Sequence, residues 1–146
     1  MKLNLGCGNK KLEGWWNVDQ YPGCQPDQCW DLNQLPWPWA DNSAEEILLS
    51  HVLEHLGQNP EVFLGIMKEL WRVGAPEARI RIVVPHPRHD SFLADPTHVR
   101  PITLAGLELF SQAANRRWQA AGFANTPLGQ ILGIDLEIVQ SELVLD

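Results

Sequence analysis

The feature that most constrains this chain is a helix signal set between two short apolar runs. Asn59-Pro60 joins a capping residue to a proline at the first helical position. Phe63, Ile66, Met67 and Leu70 follow at i, i+3, i+4 and i+7, with Lys68, Glu69 and Arg72 on the outer face and Gly74 as a stop. Glu46 to Leu49 before the helix and Arg79 to Val84 after it are apolar runs of strand length, the second ended by Pro85. A strand, a covering helix and a second strand bring the chain back in the same direction, so the two strands are expected to be parallel. Upstream, Leu3 to Leu5 is a short strand that stops at Gly6-Cys7-Gly8, and Trp16-Asn17-Val18 is another that ends at Asp19. Residues 20–43 read as irregular, with a short third strand near Cys29 to Leu32, and Ser50 is placed to cap a short helix. After a long loop to Pro101, Thr103 to Ala121 reads as a helix ending at Gly122, and Leu136 to Leu145 as a final strand or hairpin. The pattern is that of an open, mostly parallel α/β sheet.

A chain of 146 residues supports one domain, expected to span 1–146. Its net charge of −7 is unevenly spread: residues 1–67 carry only Lys2, Lys10 and Lys11 against nine acidic side chains. An acidic chain without a basic stripe argues against nucleic acid as a partner. No apolar run has the length of a membrane span, and Met1-Lys2-Leu3-Asn4-Leu5 runs into a glycine turn without a signal-peptide stretch. Three cysteines without an export signal point to a reducing, cytoplasmic location. Cys24 and Cys29 alone do not make a zinc site.

In open α/β sheets a ligand lies beyond the carboxyl ends of the strands, where the strand order reverses. Gly6 and Gly8 fall just after the first strand, where a missing side chain lets backbone N–H groups approach a ligand. A dinucleotide fingerprint would need a third glycine where Lys11 stands, and its ribose-binding acid would come later than Asp19, so the case for NAD is weak.

The glycine turn is one of an ordered set of motifs. Leu3-Asn4-Leu5-Gly6-Cys7-Gly8 is followed by Gly14-Trp15-Trp16-Asn17-Val18-Asp19, Asp31-Leu32-Asn33-Gln34-Leu35-Pro36-Trp37-Pro38 and Asp41-Asn42-Ser43. Then come Leu49-Ser50-His51-Val52-Leu53-Glu54-His55, Glu69-Leu70-Trp71-Arg72-Val73 and Asp95-Pro96-Thr97-His98-Val99-Arg100-Pro101. In this order the blocks resemble those of the class I, Rossmann-like S-adenosylmethionine-dependent methyltransferases, above all a small bacterial group. The resemblance implies a three-layer Rossmann-like sheet and transfer of a methyl group from S-adenosylmethionine to a small-molecule or glycan-like acceptor. It also implies roles for particular residues. Gly6, Cys7 and Gly8 would line the methionine part of the cofactor, Asp19 would accept from the ribose hydroxyls, Asp31 and Leu32 would meet the adenine, and Ser50 and His51 would border the sulfonium. Read without it, Asp19 and Asp31 are turn carboxylates capping their own loops. A non-catalytic cofactor- or nucleotide-binding or assembly module of the same fold is the alternative.

Two departures stand out. The ten residues Gly6 to Trp15 are short for a parallel crossover, so the first helix is expected to be vestigial, and Gly74-Ala75-Pro76-Glu77-Ala78 replaces the superfamily's Gly-Gly turn. His51-Val52-Leu53-Glu54-His55 also fits H-x-x-E-H, which would place His51 and His55 on one helix face as zinc ligands. The short helix and the lack of a further ligand in the pattern favour no metal. His86, His89, Asp90, Asp95 and His98 form a polar cluster on the crevice side. From it His98, oriented by Asp95, is the expected proton acceptor for methyl transfer. Trp71 and Trp118 read as packing residues, and Trp37 and Trp39 as anchors of their loop, with stacking on a ligand ring the other reading. A sheet left with an unpaired edge invites a homodimer.

Overall fold

The computed structural model describes residues 1–145 and divides the chain into two compact units, Met1–Pro101 and Ile102–Asp146. The first holds a five-stranded, all-parallel sheet in the order β3-β2-β1-β4-β5. Its strands are β1 (Lys2–Leu5), β2 (Trp16–Asp19), β3 (Gln28–Cys29), β4 (Ala44–Ser50) and β5 (Gly74–Val83), with helix α1 (Pro60–Val73) between the last two. This is an α/β arrangement consistent with the three-layer Rossmann-like class. The order of strands reverses at β1, which pairs with β2 on one side and β4 on the other. The central register sets Leu5 beside both Val18 and Leu49. Leu3, Leu5, Val18, Ile47 and Leu49 are buried, and α1 turns Phe63, Ile66, Met67, Leu70 and Val73 inward. The Asn59 side chain accepts the Glu61 N–H at 2.8 Å, and Pro60 opens the helix, as the sequence implied. Glu69 departs from the outer face assigned to it: it is buried, whereas Trp71, read as packing, is exposed.

The crossover from β1 to β2 contains no helix, not even a vestigial one. Asn17 does the work of a covering element. It lies buried on β2, its Oδ1 accepts from Asn4 Nδ2 and from the Leu12 N–H, and its Nδ2 donates to the carbonyls of Leu12 and Trp15. The Asp27 carboxylate accepts from the Asn17 amide and side chain, and these bonds hold it below the usual carboxylate range. A ten-residue loop can thus close a parallel pair because one amide satisfies its backbone.

Other expectations require correction. β3 spans only Gln28–Cys29, ending before Asp31 and Leu32. β5 starts at Gly74, earlier than Arg79, because Ala75 to Ala78 form an irregularity with Glu77 at φ 62°. Ser50 caps nothing: it ends β4, and the 3-10 turn Leu53–His55 is entered from Val52 without a side-chain cap. A short helix α2 (Asp90–Leu93) lies in the long loop, N-capped by His89, whose Nδ1 accepts from the Ser91 N–H.

In the second unit the helix expected over 103–121 is two helices, α3 (Leu104–Glu108) and α4 (Gln112–Ala120), followed by α5 (Leu128–Leu132). Ser111 caps α4 through the Ala114 N–H, and buried Asn115 donates to the Leu109 carbonyl, so local polar bonds outcompete a continuous ladder. Leu136 to Leu145 forms no strand; Val139, Leu143, Val144 and Leu145 are exposed. Among the described residues nothing pairs with the outer side of β5, and no helix is long and apolar enough to cross a membrane.

Candidate functional site

A cleft of about 220 Å³ opens at the carboxyl ends of the strands, at the reversal point of the sheet. Gly6, Asp19, Gln20, Asp31, His51 and His55 are among the residues that line it. Gly6, at φ 68°, turns the chain out of β1 where a Cβ would meet Val52 Cγ2 at 2.4 Å. Only glycine allows both that conformation and that approach. Asp19 ends β2, where its two oxygens accept from the Gly8 N–H at 2.8 Å and the Tyr21 N–H at 2.9 Å. Asp31 accepts the Asn33 N–H at 2.9 Å. Both aspartates therefore cap their own loops, as an ordinary turn carboxylate does, while also facing the cleft. A carboxylate oxygen with one bond still has a free lone pair for a ligand.

Leu32 lies at the same wall and is buried. Five of the residues assigned to the cofactor (Gly6, Asp19, Asp31, Leu32 and His51) thus come together. Cys7, Gly8 and Ser50 are not part of the lining. Cys7 is buried against Cys24 and Asp19; burial, then those neighbours, push its thiol up to about 11, so it stays protonated at neutral pH. Trp37 and Trp39 are buried in edge contact, with centroids 5.6 Å apart, and anchor their loop. Trp30, which the sequence reading passed over, is the tryptophan that reaches the cleft. Its position just after β3 was the available signal.

The histidines divide differently from the sequence reading. His51 and His55 do not share a helix face: His51 sits at φ 58° before the 3-10 turn, and its N–H extends the β4–β5 pairing to the Val83 carbonyl. His86 and His89 are exposed and accept from the backbone amides of Arg88 and Ser91 in their own loop. His98 alone of that cluster turns inward. Val99 N–H bonds to the Glu54 carbonyl at 2.8 Å, which lays the loop against the Leu53–His55 turn and brings the His98 ring to 4.6 Å from that of His55. His98 Nε2 lies 3.6 Å from Asp95 Oδ2. Asp95 accepts from the Thr97 hydroxyl at 2.6 Å and the Thr97 amide at 2.8 Å, and those bonds hold its carboxyl below the usual range. Glu54 is buried beside them, and neither of its carboxylate oxygens has a hydrogen-bond partner.

No protein-family model matches the chain, and a search of the curated proteins finds no match.

Proposed function

We propose that the protein is an S-adenosylmethionine-dependent methyltransferase acting on a small-molecule or glycan-like acceptor. The observation that carries this reading is the convergence of a glycine turn after β1 with carboxylates at the end of β2 and just beyond β3 on one cleft. Gly6 lines the cleft where the amino-acid part of such a cofactor would lie, Asp19 retains acceptor capacity for ribose hydroxyls, and Asp31 with buried Leu32 offers an acceptor and an apolar face for adenine. When bound, the cofactor supplies a methyl carbon already activated by positive sulfur, which leaves the chain to align the acceptor and remove its proton. His98 and Asp95 are not part of the cleft lining, but the His98 ring packs on that of His55, which is. In this reading His98 takes the proton through Nε2, since Nδ1 donates to the Phe92 carbonyl at 2.7 Å. The cleft is smaller than the ~300–1,000 Å³ of most small-molecule pockets, so a nucleoside lying in it would be partly open to water.

Calorimetry with S-adenosylmethionine, S-adenosylhomocysteine and NAD tests the reading. Binding of the sulfur ligands but not NAD, weakened about tenfold or more in Asp19→Ala by loss of charge-assisted bonds, is expected. Absence of binding by either sulfur ligand overturns it, and binding without turnover on any acceptor identifies a non-catalytic module of the same fold.

A further inference from the structure

We infer that Glu54, His55 and His98 form a binding site for a first-row divalent cation, with zinc the best match to the donor set. Their ligating atoms all lie within 4.8 Å of one another. Glu54 is 1% exposed, and both its oxygens lack any hydrogen-bond partner. The nearest cationic candidate is His51 Nδ1, at 3.8 Å from Oε1. A buried carboxylate left without partners is costly, and such groups are normally paired or bound to metal.

The two imidazoles are set up to complete the site. His98 Nδ1 lies 2.7 Å from the Phe92 carbonyl and His55 Nδ1 lies 3.2 Å from the Thr97 carbonyl. A carbonyl only accepts, so both Nδ1 atoms carry a proton, and in a neutral imidazole that leaves the lone pair on Nε2. The Thr97 hydroxyl agrees with this tautomer. It donates to Asp95 Oδ1 at 2.6 Å and therefore accepts from His55 Nδ1, 3.1 Å away. A backbone carbonyl behind each histidine is the usual outer support of a metal-bound imidazole. Two histidines and one carboxylate are a donor set typical of zinc sites that keep an open position. Ligands at ~2.0–2.2 Å around zinc stand about 3.4 Å apart, so the three groups need to close by at most about 1.4 Å. Asp95 Oδ2 lies 3.6 Å from His98 Nε2, outside the three-residue group.

His51 and His55 line the cleft, so the cation would sit at its margin. This site does not depend on the methyl-transfer reading, but it changes one role within it. A His98 that holds a cation through Nε2 cannot accept a proton there. An acceptor hydroxyl on the cation would be acidified directly instead.

Titration of the metal-free protein with zinc chloride, without cofactor, is the test. One equivalent is expected to bind, with affinity reduced at least about tenfold in His55→Ala and in His98→Ala and unchanged in His86→Ala. Cobalt(II) in place of zinc is expected to give visible d–d bands without a thiolate charge-transfer band, which separates this site from the Cys7, Asp19 and Cys24 cluster. Glu54→Gln, a near-isosteric change, guards against variants that fail to fold and is expected to weaken binding as strongly. No stoichiometric binding, wild-type affinity in Glu54→Gln and His98→Ala, or a thiolate spectrum overturns the assignment. S-Adenosylmethionine binding measured in the same samples reports on the cofactor cleft separately.

Discussion

Two buried glutamates behave in opposite ways. Glu69, 8% exposed on α1, accepts the Trp37 N–H at 2.7 Å and the Arg72 guanidinium at 2.7 and 2.8 Å. Arg72 also donates to the carbonyls of Trp37 and Trp39 and to Asp41, which ties the tryptophan loop to the helix. Glu54, more deeply buried, has no hydrogen-bond partner for either oxygen. The first is a completed staple. The second is a buried carboxyl group to which no neighbour donates a hydrogen bond, a role that the proposed cation would fill. The difference separates a carboxylate that holds the fold together from one held ready by it.

The largest effect expected from breaking the contrast is at Arg72. Arg72→Ala leaves Glu69 buried without its guanidinium and frees two loop carbonyls, so a loss of about 3 kcal/mol is expected in urea unfolding. Glu69→Gln is milder, about 2 kcal/mol near neutral pH, because the Trp37 N–H keeps an acceptor. Its pH dependence sharpens the comparison. Burial pushes the Glu69 carboxyl up, but the Arg72 and Trp37 hydrogen bonds together with the Arg72 charge outweigh it and leave it below its ordinary 4.5. The folded state then takes up that proton only at lower pH than the unfolded chain. The stabilisation is present above 4.5 and is lost as pH falls through the lowered folded value. Acid unfolding curves of wild type and Glu69→Gln should therefore converge below pH 4.5 and separate above it. The smallest loss is at Glu54: without added metal, Glu54→Gln should not lower stability, since it removes no hydrogen bond and relieves the cost of a buried carboxylate without partners. Zinc should raise the melting temperature of the wild type and not of this variant. A large loss in metal-free Glu54→Gln would mean that this glutamate, like Glu69, is part of the structural framework.

Legibility in the sequence follows the range of the interactions. Helix α1 could be read to within a residue because its cap, its proline and its apolar stripe are local signals. The glycine turn and Asp19 were readable for the same reason: each directly follows a short apolar strand. The sequence-based reading missed what depends on partners far along the chain. Glu69 takes a polar position in the helical pattern, yet Trp37 comes from 32 residues away to bury it. The break between α3 and α4 escaped because Ser111 and Asn115 satisfy backbone groups that a periodicity argument assigns to a continuous helix. The H-x-x-E-H spacing suggested two histidines on one helix face, but the turn at His51 removes the helix on which that geometry depends.

By itself the sequence determined the class of fold, the strand–helix–strand unit that orients the sheet, and the end of the sheet at which the cleft opens. Apolar periodicity and turn chemistry act over a few residues and need no partner to be read. Only the tertiary structure decided that a loop closes over Glu54 and His55, Val99 bonding the Glu54 carbonyl from 45 residues on and Thr97 meeting His55 from 42 residues on. It alone brought Glu54, His55 and His98 within 4.8 Å of one another. Convergence of that kind is set by which backbone groups find each other across the fold, and spacing along the chain carries no record of it.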